Sequence, residues 1–174
     1  LMTTHGTGCY TSQAAMKRWN RRCEVLGDAA ERAAALAWWM GGAEYPHETL
    51  ERAWTRFLWH GFHDDLTGAS IPEAYTLSWN DMLLSQQEFA QVIESSLEAV
   101  TAELDTQVKG RPLILFNPLG HRRSEVVIVP VPMLELFTLA PTVTVTAPDG
   151  TTTQALVWND AADNEPPLTS WVAF

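Results

Sequence analysis

Residues 13–40 read QAAMKRWNRRCEVLGDAAERAAALAWWM, and this stretch decides the fold of the first part of the chain. Small and apolar side chains recur in it at steps of four and three, which places them on one face of an α-helix. This face comprises Ala15, Trp19, Cys23, Leu26, Ala30, Ala33 and Ala37. Thr11 and Ser12 are predicted N-caps, and glycines at 41 and 42 supply the stop. Such a narrow, alanine-rich stripe favours close packing between long antiparallel helices.

Two further helices are predicted downstream. Pro46 suits the first turn of a helix that continues to about Phe62. The segment Ser70-Ile-Pro-Glu73 has the spacing of a capping box, in which the serine hydroxyl and the glutamate carboxylate each satisfy a free backbone N–H group. A third helix is therefore expected to begin there and to reach about Leu104. Three helices with short connections predict an antiparallel, up-down-up three-helix bundle.

The composition changes near residue 110, where Val, Thr, Pro and Gly replace Ala, Glu, Leu and Arg. Short apolar runs bounded by turn residues predict β-strands at 113–116, 125–131, 142–147, 151–158 and 168–174, with a hairpin through Pro148-Asp149-Gly150. The predicted fold class is therefore α+β, with the bundle in residues 1–108 and the strands in residues 109–174. Because so few strands leave open edges, we expect them to be the first strands of an incomplete antiparallel β-sandwich.

Charge and hydropathy exclude several classes of partner. The 174 residues include 21 acidic and 11 basic side chains, and the formal net charge of −10 disfavours nucleic acid and anionic lipid surfaces. No apolar run approaches the roughly 20 residues needed to cross a bilayer, so no membrane partner is expected. Because the sequence opens at Leu1, we expect an internal piece of a longer polypeptide, and the localisation stays open.

The densest polar cluster is His60-Gly-Phe-His63-Asp64-Asp65, at the predicted end of the second helix. Two imidazoles three residues apart can share a helical face, and a neighbouring carboxylate can complete or orient a zinc site. The residues alone favour a structural interpretation, in which the histidines interact with the negative end of the helix dipole and an aspartate caps a turn. Spacing alone does not decide between the two.

Four motifs in order resemble the family 38 glycoside hydrolases, the α-mannosidases. They are GCYTSQ at 8–13, KRWNRR at 17–22, FHDDLTGASIPEAY at 62–75 and FNPL at 116–119. The resemblance covers essentially the whole chain, but only the interior of that family's long polypeptide: the helical middle domain and the first strands of the C-terminal β region. Phe62 stands where animal members carry a further histidine, so the resemblance is to bacterial members.

The resemblance implies a zinc-dependent, retaining hydrolysis of terminal α-mannosides. It makes His63 a ligand of the Zn²⁺ cofactor and Asp64 a substrate-binding residue. The nucleophile, the acid and the remaining zinc ligands belong to the family's N-terminal barrel, so no catalytic residue is expected in this chain. The barrel and the rest of the β domain are then the partners of this chain, together with the α-mannoside substrate, and the chain alone should be inert.

An alternative from another functional class stays open, a non-enzymatic helical module that binds a protein partner. Eight tryptophans and the acidic helix faces are compatible with that role. The sequence also leaves homo-oligomerisation open.

Overall fold

The computed structural model describes residues 6–132, 143–159 and 169–174. The chain divides into two compact units, Leu1–Gly120 and His121–Phe174. The first unit holds three helices, α1 (Ala14–Trp39), α2 (His47–Trp59) and α3 (Pro72–Ala102). The predicted division after residue 108 lies in the stretch between α3 and the first strand and stays a prediction. No described helix is both long and apolar enough to cross a membrane.

Side-chain contacts establish the direction of each helix. Trp19 meets Trp79 edge to face with ring centroids 5.7 Å apart, so the beginnings of α1 and α3 lie together. In α2, Arg52 bonds Glu88 at 2.7 Å, whereas His60, just past the end of the helix, bonds Asp81 at 3.0 Å. Residue numbers therefore rise along α2 as they fall along α3, and the up-down-up order is confirmed.

The core of the bundle lies along the predicted stripe of α1. Cys23, Ala30, Ala33 and Ala37 are buried, and larger side chains from the other two helices pack on them; these include Leu50, Phe57, Tyr75, Met82 and Phe89. Gly27 also faces this core, and a Cβ atom added there would lie 2.5 Å from the indole of Trp54. The absence of a side chain at that position therefore lets a tryptophan lie directly on the backbone of α1.

An ionic clamp joins α2 to α3. The Glu88 carboxylate accepts hydrogen bonds from Arg52 at 2.7 Å and from Arg56 at 2.6 Å. Burial acts to raise the pKa of Glu88, but the two guanidinium groups outweigh it and lower the pKa below its ordinary value. Glu88 is therefore ionised in the folded bundle at neutral pH.

The predicted side-chain caps are wrong. The hydroxyl of Thr11 donates to the carbonyl of Gly8, that of Ser12 donates to the carbonyl of Gly68 at 3.1 Å, and Gln13 precedes α1 without a side-chain cap. Likewise α3 follows Ile71 without a side-chain cap, so the capping box at Ser70 does not form. The hydroxyls of Thr11 and Ser12 bond to loop carbonyls instead, and Pro72 at the first position of α3 has no N–H group to satisfy.

The second unit contains four short strands: β1 (Ile128–Pro132), β2 (Val143–Thr146), β3 (Thr152–Asn159) and β4 (Thr169–Ala173). They form one antiparallel sheet in the order β1-β4-β3-β2. The predicted hairpin is confirmed, with Thr146 opposite Thr152 and a positive φ of 85° at Gly150 in the turn. The α+β class is therefore confirmed, whereas completion of a sandwich by further strands stays a prediction.

One of the predicted strands is not formed, and two predicted strand ends are not described by the structure. Residues 113–116 are not a strand, because no described segment pairs with them and their apolar side chains are largely exposed. The predicted strand ends at Thr142 and Leu168 lie outside the described residues.

The buried thiol of Cys23 predicts a loss of stability at alkaline pH. Burial raises its pKa from 9.0 to about 11. The unfolded chain therefore releases this proton at lower pH than the folded chain, so the stabilisation is complete below about pH 9 and is lost as the pH rises through 11. We expect the free energy of unfolding to fall by on the order of 2 kcal/mol across this interval.

Urea unfolding at a series of pH values tests this contribution in the wild type and in Cys23→Ala. The substitution should remove most of this pH dependence, whereas Cys9→Ala, at the other free cysteine, should leave it unchanged. Identical pH profiles for the wild type and Cys23→Ala would contradict the assignment.

Candidate functional site

The predicted polar cluster lies in the connection between α2 and α3, residues 60–71, called here the site loop. Helix α2 ends at Trp59, three residues before the predicted end, where the chain tightens into turns closed by hydrogen bonds from residue i to residue i−3. In these turns the N–H of His60 donates to Phe57 at 3.2 Å and that of Gly61 donates to Leu58 at 3.0 Å. The cluster therefore folds as a loop and not as a helical face, so the two histidines need not point the same way.

His63 and Asp64 point outward from the site loop. The side chain of His63 is 75% exposed and that of Asp64 is 53% exposed, and Nε2 of the imidazole lies 3.5 Å from Oδ2 of the carboxylate. One face of the imidazole contacts the Phe62 ring, with centroids 4.2 Å apart. The main-chain carbonyl of His63 accepts a hydrogen bond from the Thr67 hydroxyl. An imidazole nitrogen and a carboxylate oxygen, both of which can bind a metal ion, are thus accessible side by side on a loop with internal hydrogen bonds.

His60 and Asp65, from the same cluster, point inward. The side chain of His60 is 6% exposed, with Nδ1 2.5 Å from Oδ2 of Asp65 and Nε2 3.0 Å from Oδ2 of Asp81. Ser78 donates from Oγ to the Asp65 carboxylate at 2.8 Å. Both ring nitrogens of His60 are therefore occupied, which makes His60 a structural residue and excludes it as a metal ligand in this conformation.

A tyrosine hydroxyl on α3 secures the other side of the site loop. Tyr75 is buried, and its hydroxyl oxygen accepts a hydrogen bond from the N–H of Ser70 at 3.0 Å. The same hydroxyl lies 3.3 Å from the carbonyl oxygen of Asp64 and 3.4 Å from that of Asp65. Tyr75 on α3 thus holds the main chain of the loop that carries His63 and Asp64.

Sequence reasoning missed three of these α3 residues: Tyr75 as an anchor, and Ser78 with Asp81 as partners of the inward pair. A signal was present, because Ser78 and Asp81 are three residues apart and therefore share a helical face. They interrupt the apolar pattern between Tyr75 and Met82, and polar residues on a buried face need partners.

The donor chemistry fits part of a zinc site. Zinc binds imidazole nitrogen and carboxylate oxygen at about 2 Å and takes four ligands in most protein sites. Among the described residues no group of three His, Cys, Asp or Glu side chains could hold a metal ion. His63 and Asp64 could therefore supply at most one side of such a site, and further ligands would have to come from beyond the described residues.

Comparison with known proteins identifies the family. Residues 4–100 match the family described as "Alpha mannosidase middle domain", which is more than half of the chain. The chain belongs to this family. The resemblance to the family 38 α-mannosidases that the sequence motifs predicted is therefore confirmed.

Individual α-mannosidases show the same relationship over short parts of their length. Alpha-mannosidase 2C1 of Mus musculus is 30% identical over 127 residues, which are 72% of this chain and 12% of the mouse protein. Alpha-mannosidase G of Dictyostelium discoideum is 34% identical over 102 residues, which are 56% of this chain and 9% of that protein. This middle-domain chain thus spans about an eighth or less of these relatives.

A solved structure shows the same fold. The crystal structure of an alpha-mannosidase from Enterococcus faecalis V583 superposes with a TM-score of 0.71 at 22% identity. The match covers 95% of this chain and 22% of the E. faecalis chain. At this level of identity the match establishes the fold of the middle domain and the strands that follow it.

Proposed function

We propose that this chain is part of a zinc-dependent, retaining α-mannosidase that hydrolyses terminal α-mannosides, and that it contributes one zinc ligand and a helical scaffold. The observation that carries the proposal is the outward-facing pair His63 and Asp64 on an anchored loop, in a chain that belongs to the α-mannosidase middle-domain family. A buried His63 would have been incompatible with this function.

In this proposal each exposed side chain of the site loop has one task. His63 offers the lone pair of Nε2 to the metal, and the Phe62 ring limits the positions that the imidazole can take. Asp64 accepts hydrogen bonds from sugar hydroxyls with Oδ1, the carboxylate oxygen that is not directed at His63. When bound, zinc supplies Lewis acidity toward substrate oxygen atoms.

The reacting groups of a retaining glycosidase are two carboxyl groups about 5–5.5 Å apart that flank the scissile bond. We place both outside this chain, on the part of the longer polypeptide that carries the catalytic barrel. This placement is supported by the small fraction of each α-mannosidase relative that the chain matches, 12% for the mouse protein. The chain alone is then a positioning element without turnover of its own.

A protein-interaction module remains the second candidate, and one observation favours it. Trp39 is 80% exposed and Trp59 is 77% exposed, and aromatic side chains of this kind are enriched at protein interfaces. An internal surface of a longer enzyme accounts for the same exposure. The two candidates differ in mannosidase activity and in its dependence on a metal ion, because only the enzyme has either property.

An assay of the full-length parent with an aryl α-mannoside separates the candidates. We expect turnover with initial release of the α-anomer, loss of turnover on chelation and recovery on addition of zinc. The 174-residue chain assayed alone, with zinc, should show no turnover above the buffer rate. An aryl β-mannoside is the matched control substrate. Turnover by the isolated chain, or full activity of a metal-free parent, would refute the proposal.

A further inference from the structure

The side chains of Asp65, His60 and Asp81 form a chain of hydrogen bonds, called here the bridge, with His60 buried at its centre. The ring of His60 lies between two carboxylates, with Nδ1 2.5 Å from Asp65 and Nε2 3.0 Å from Asp81, so each ring nitrogen has a hydrogen-bond partner. Hydrogen bonds weaken steeply when they lengthen or bend, so a ring with a partner at each nitrogen is fixed in direction as well as in distance. The bridge therefore holds its three side chains in one relative geometry.

Two of the three side chains belong to the site loop and the third belongs to α3. His60 is the first residue of the loop, directly after α2, Asp65 lies in the middle of the loop, and Asp81 belongs to α3. The bridge thus ties the middle of the loop both to its first residue and to α3. Because Asp65 directly follows Asp64, the backbone that carries the outward pair cannot rotate without breaking the bond between Asp65 and His60.

We propose that His60 is a positioning residue, which holds Asp65 against α3 so that His63 and Asp64 stay aimed at the same point outside the loop. This inference rests on the proposed function, because it assigns the bridge to the positioning of the zinc ligand His63 and the sugar-binding residue Asp64. Well-packed apolar side chains often stabilise a core as well as a buried ionic group does, whereas polar groups specify one geometry.

The test uses the full-length protein with two substitutions in the bridge. His60→Gln keeps a hydrogen-bond donor but cannot reach both carboxylates. Asp81→Asn replaces one carboxylate partner by a neutral amide, whose oxygen is a weaker acceptor, at a side chain that is 38% exposed, where a fold defect is least expected. His47→Gln, an exposed histidine at the opposite end of α2, is the matched control. Leu50→Ala, in the bundle core, controls for general destabilisation.

Two quantities are measured that a merely stabilising residue would not change. They are the zinc dissociation constant, by competition with a chelator, and hydrogen exchange of the loop amides of Asp65, Leu66, Gly68 and Ala69 in metal-free protein. We expect zinc binding to weaken by about 10- to 100-fold in His60→Gln, as for other groups that orient metal ligands, and less in Asp81→Asn. Loop exchange should accelerate in both, whereas neither control should change zinc affinity.

The outcomes separate this inference from the proposed function. Wild-type zinc affinity and loop exchange in folded His60→Gln and Asp81→Asn would overturn the positioning role while leaving the zinc site in place. If His60→Gln does not fold, Asp81→Asn decides in the same way. If His63→Ala retains wild-type zinc affinity, the proposed zinc site is wrong, and the positioning role falls with it. Loss of zinc affinity equally in Leu50→Ala would also reject the inference, because any destabilisation would then suffice.

Discussion

Replacement of His63 by alanine in the full-length protein should weaken zinc binding and lower α-mannosidase activity by more than about 100-fold, with little loss of folded protein. The physical reason is that the side chain of His63 lies on the surface of the site loop, whereas that of His60 is buried. The side chain of His63 is 75% exposed, and its ring contacts Phe62 and Asp64 at the surface, so its removal leaves no cavity. Loss of groups that merely orient a metal ligand costs 10- to 100-fold, and loss of a ligand should cost more.

Metal analysis and steady-state kinetics on the same preparation measure both effects. His47→Ala is the matched control, because it removes an imidazole from the other end of α2 and should retain wild-type zinc content. Asp64→Asn should raise KM and lower kcat while keeping zinc bound, since we assign its carboxylate to the sugar. Zinc content equal to wild type in His63→Ala would reject the ligand assignment.

The second large effect is expected at Gly68, where the site loop passes the start of α1. Its φ of +87° lies in the left-handed region, and an added Cβ atom would lie 2.5 Å from the hydroxyl oxygen of Ser12 and 2.9 Å from the Ser12 carbonyl oxygen. Gly68→Ala therefore combines backbone strain with a collision against the side chain and the carbonyl oxygen of Ser12. We expect it to destabilise the protein by about 2–4 kcal/mol and to displace the loop.

Gly41→Ala separates the two contributions. Gly41 has a similar φ of +77°, but nothing lies within 4 Å of its added Cβ atom, so it should show only the strain, about 1–2 kcal/mol. Chemical denaturation of both variants gives the difference, and zinc affinity reports the loop. Equal destabilisation by the two substitutions would show that the contact with Ser12 carries no energy.

Local pattern was sufficient to predict much of the fold. The stripe from Ala15 to Ala37 predicted α1 to within a residue at each end, because helical periodicity and the two following glycines are local signals. The turn at Pro148-Asp149-Gly150 predicted the hairpin for the same reason. The segment 113–116 failed because a strand needs a partner, and alternation of side chains cannot show whether one is present.

The candidate site was predictable only in part. The motif resemblance indicated His63 and Asp64, and the outward direction of both is compatible with it. The inward direction of His60 could not be read from the sequence, because its second partner, Asp81, lies 21 residues away on another helix. The cap prediction at Ser12 failed for a similar reason: its hydroxyl donates to the carbonyl of Gly68, which is distant along the chain.

The length of α3 has a consequence for the transmission of structural change. The site loop leads into its first residue, whereas the outgoing chain leaves after its last, 31 residues on, a separation of about 45 Å along the helix axis. A perturbation that travels along the main chain from the end of α3 must therefore pass through a packed helix of this length before it reaches the loop. Within the bundle, the loop is thus remote from the end of α3, and substitutions in the last turn of this helix should leave the geometry of the loop unchanged.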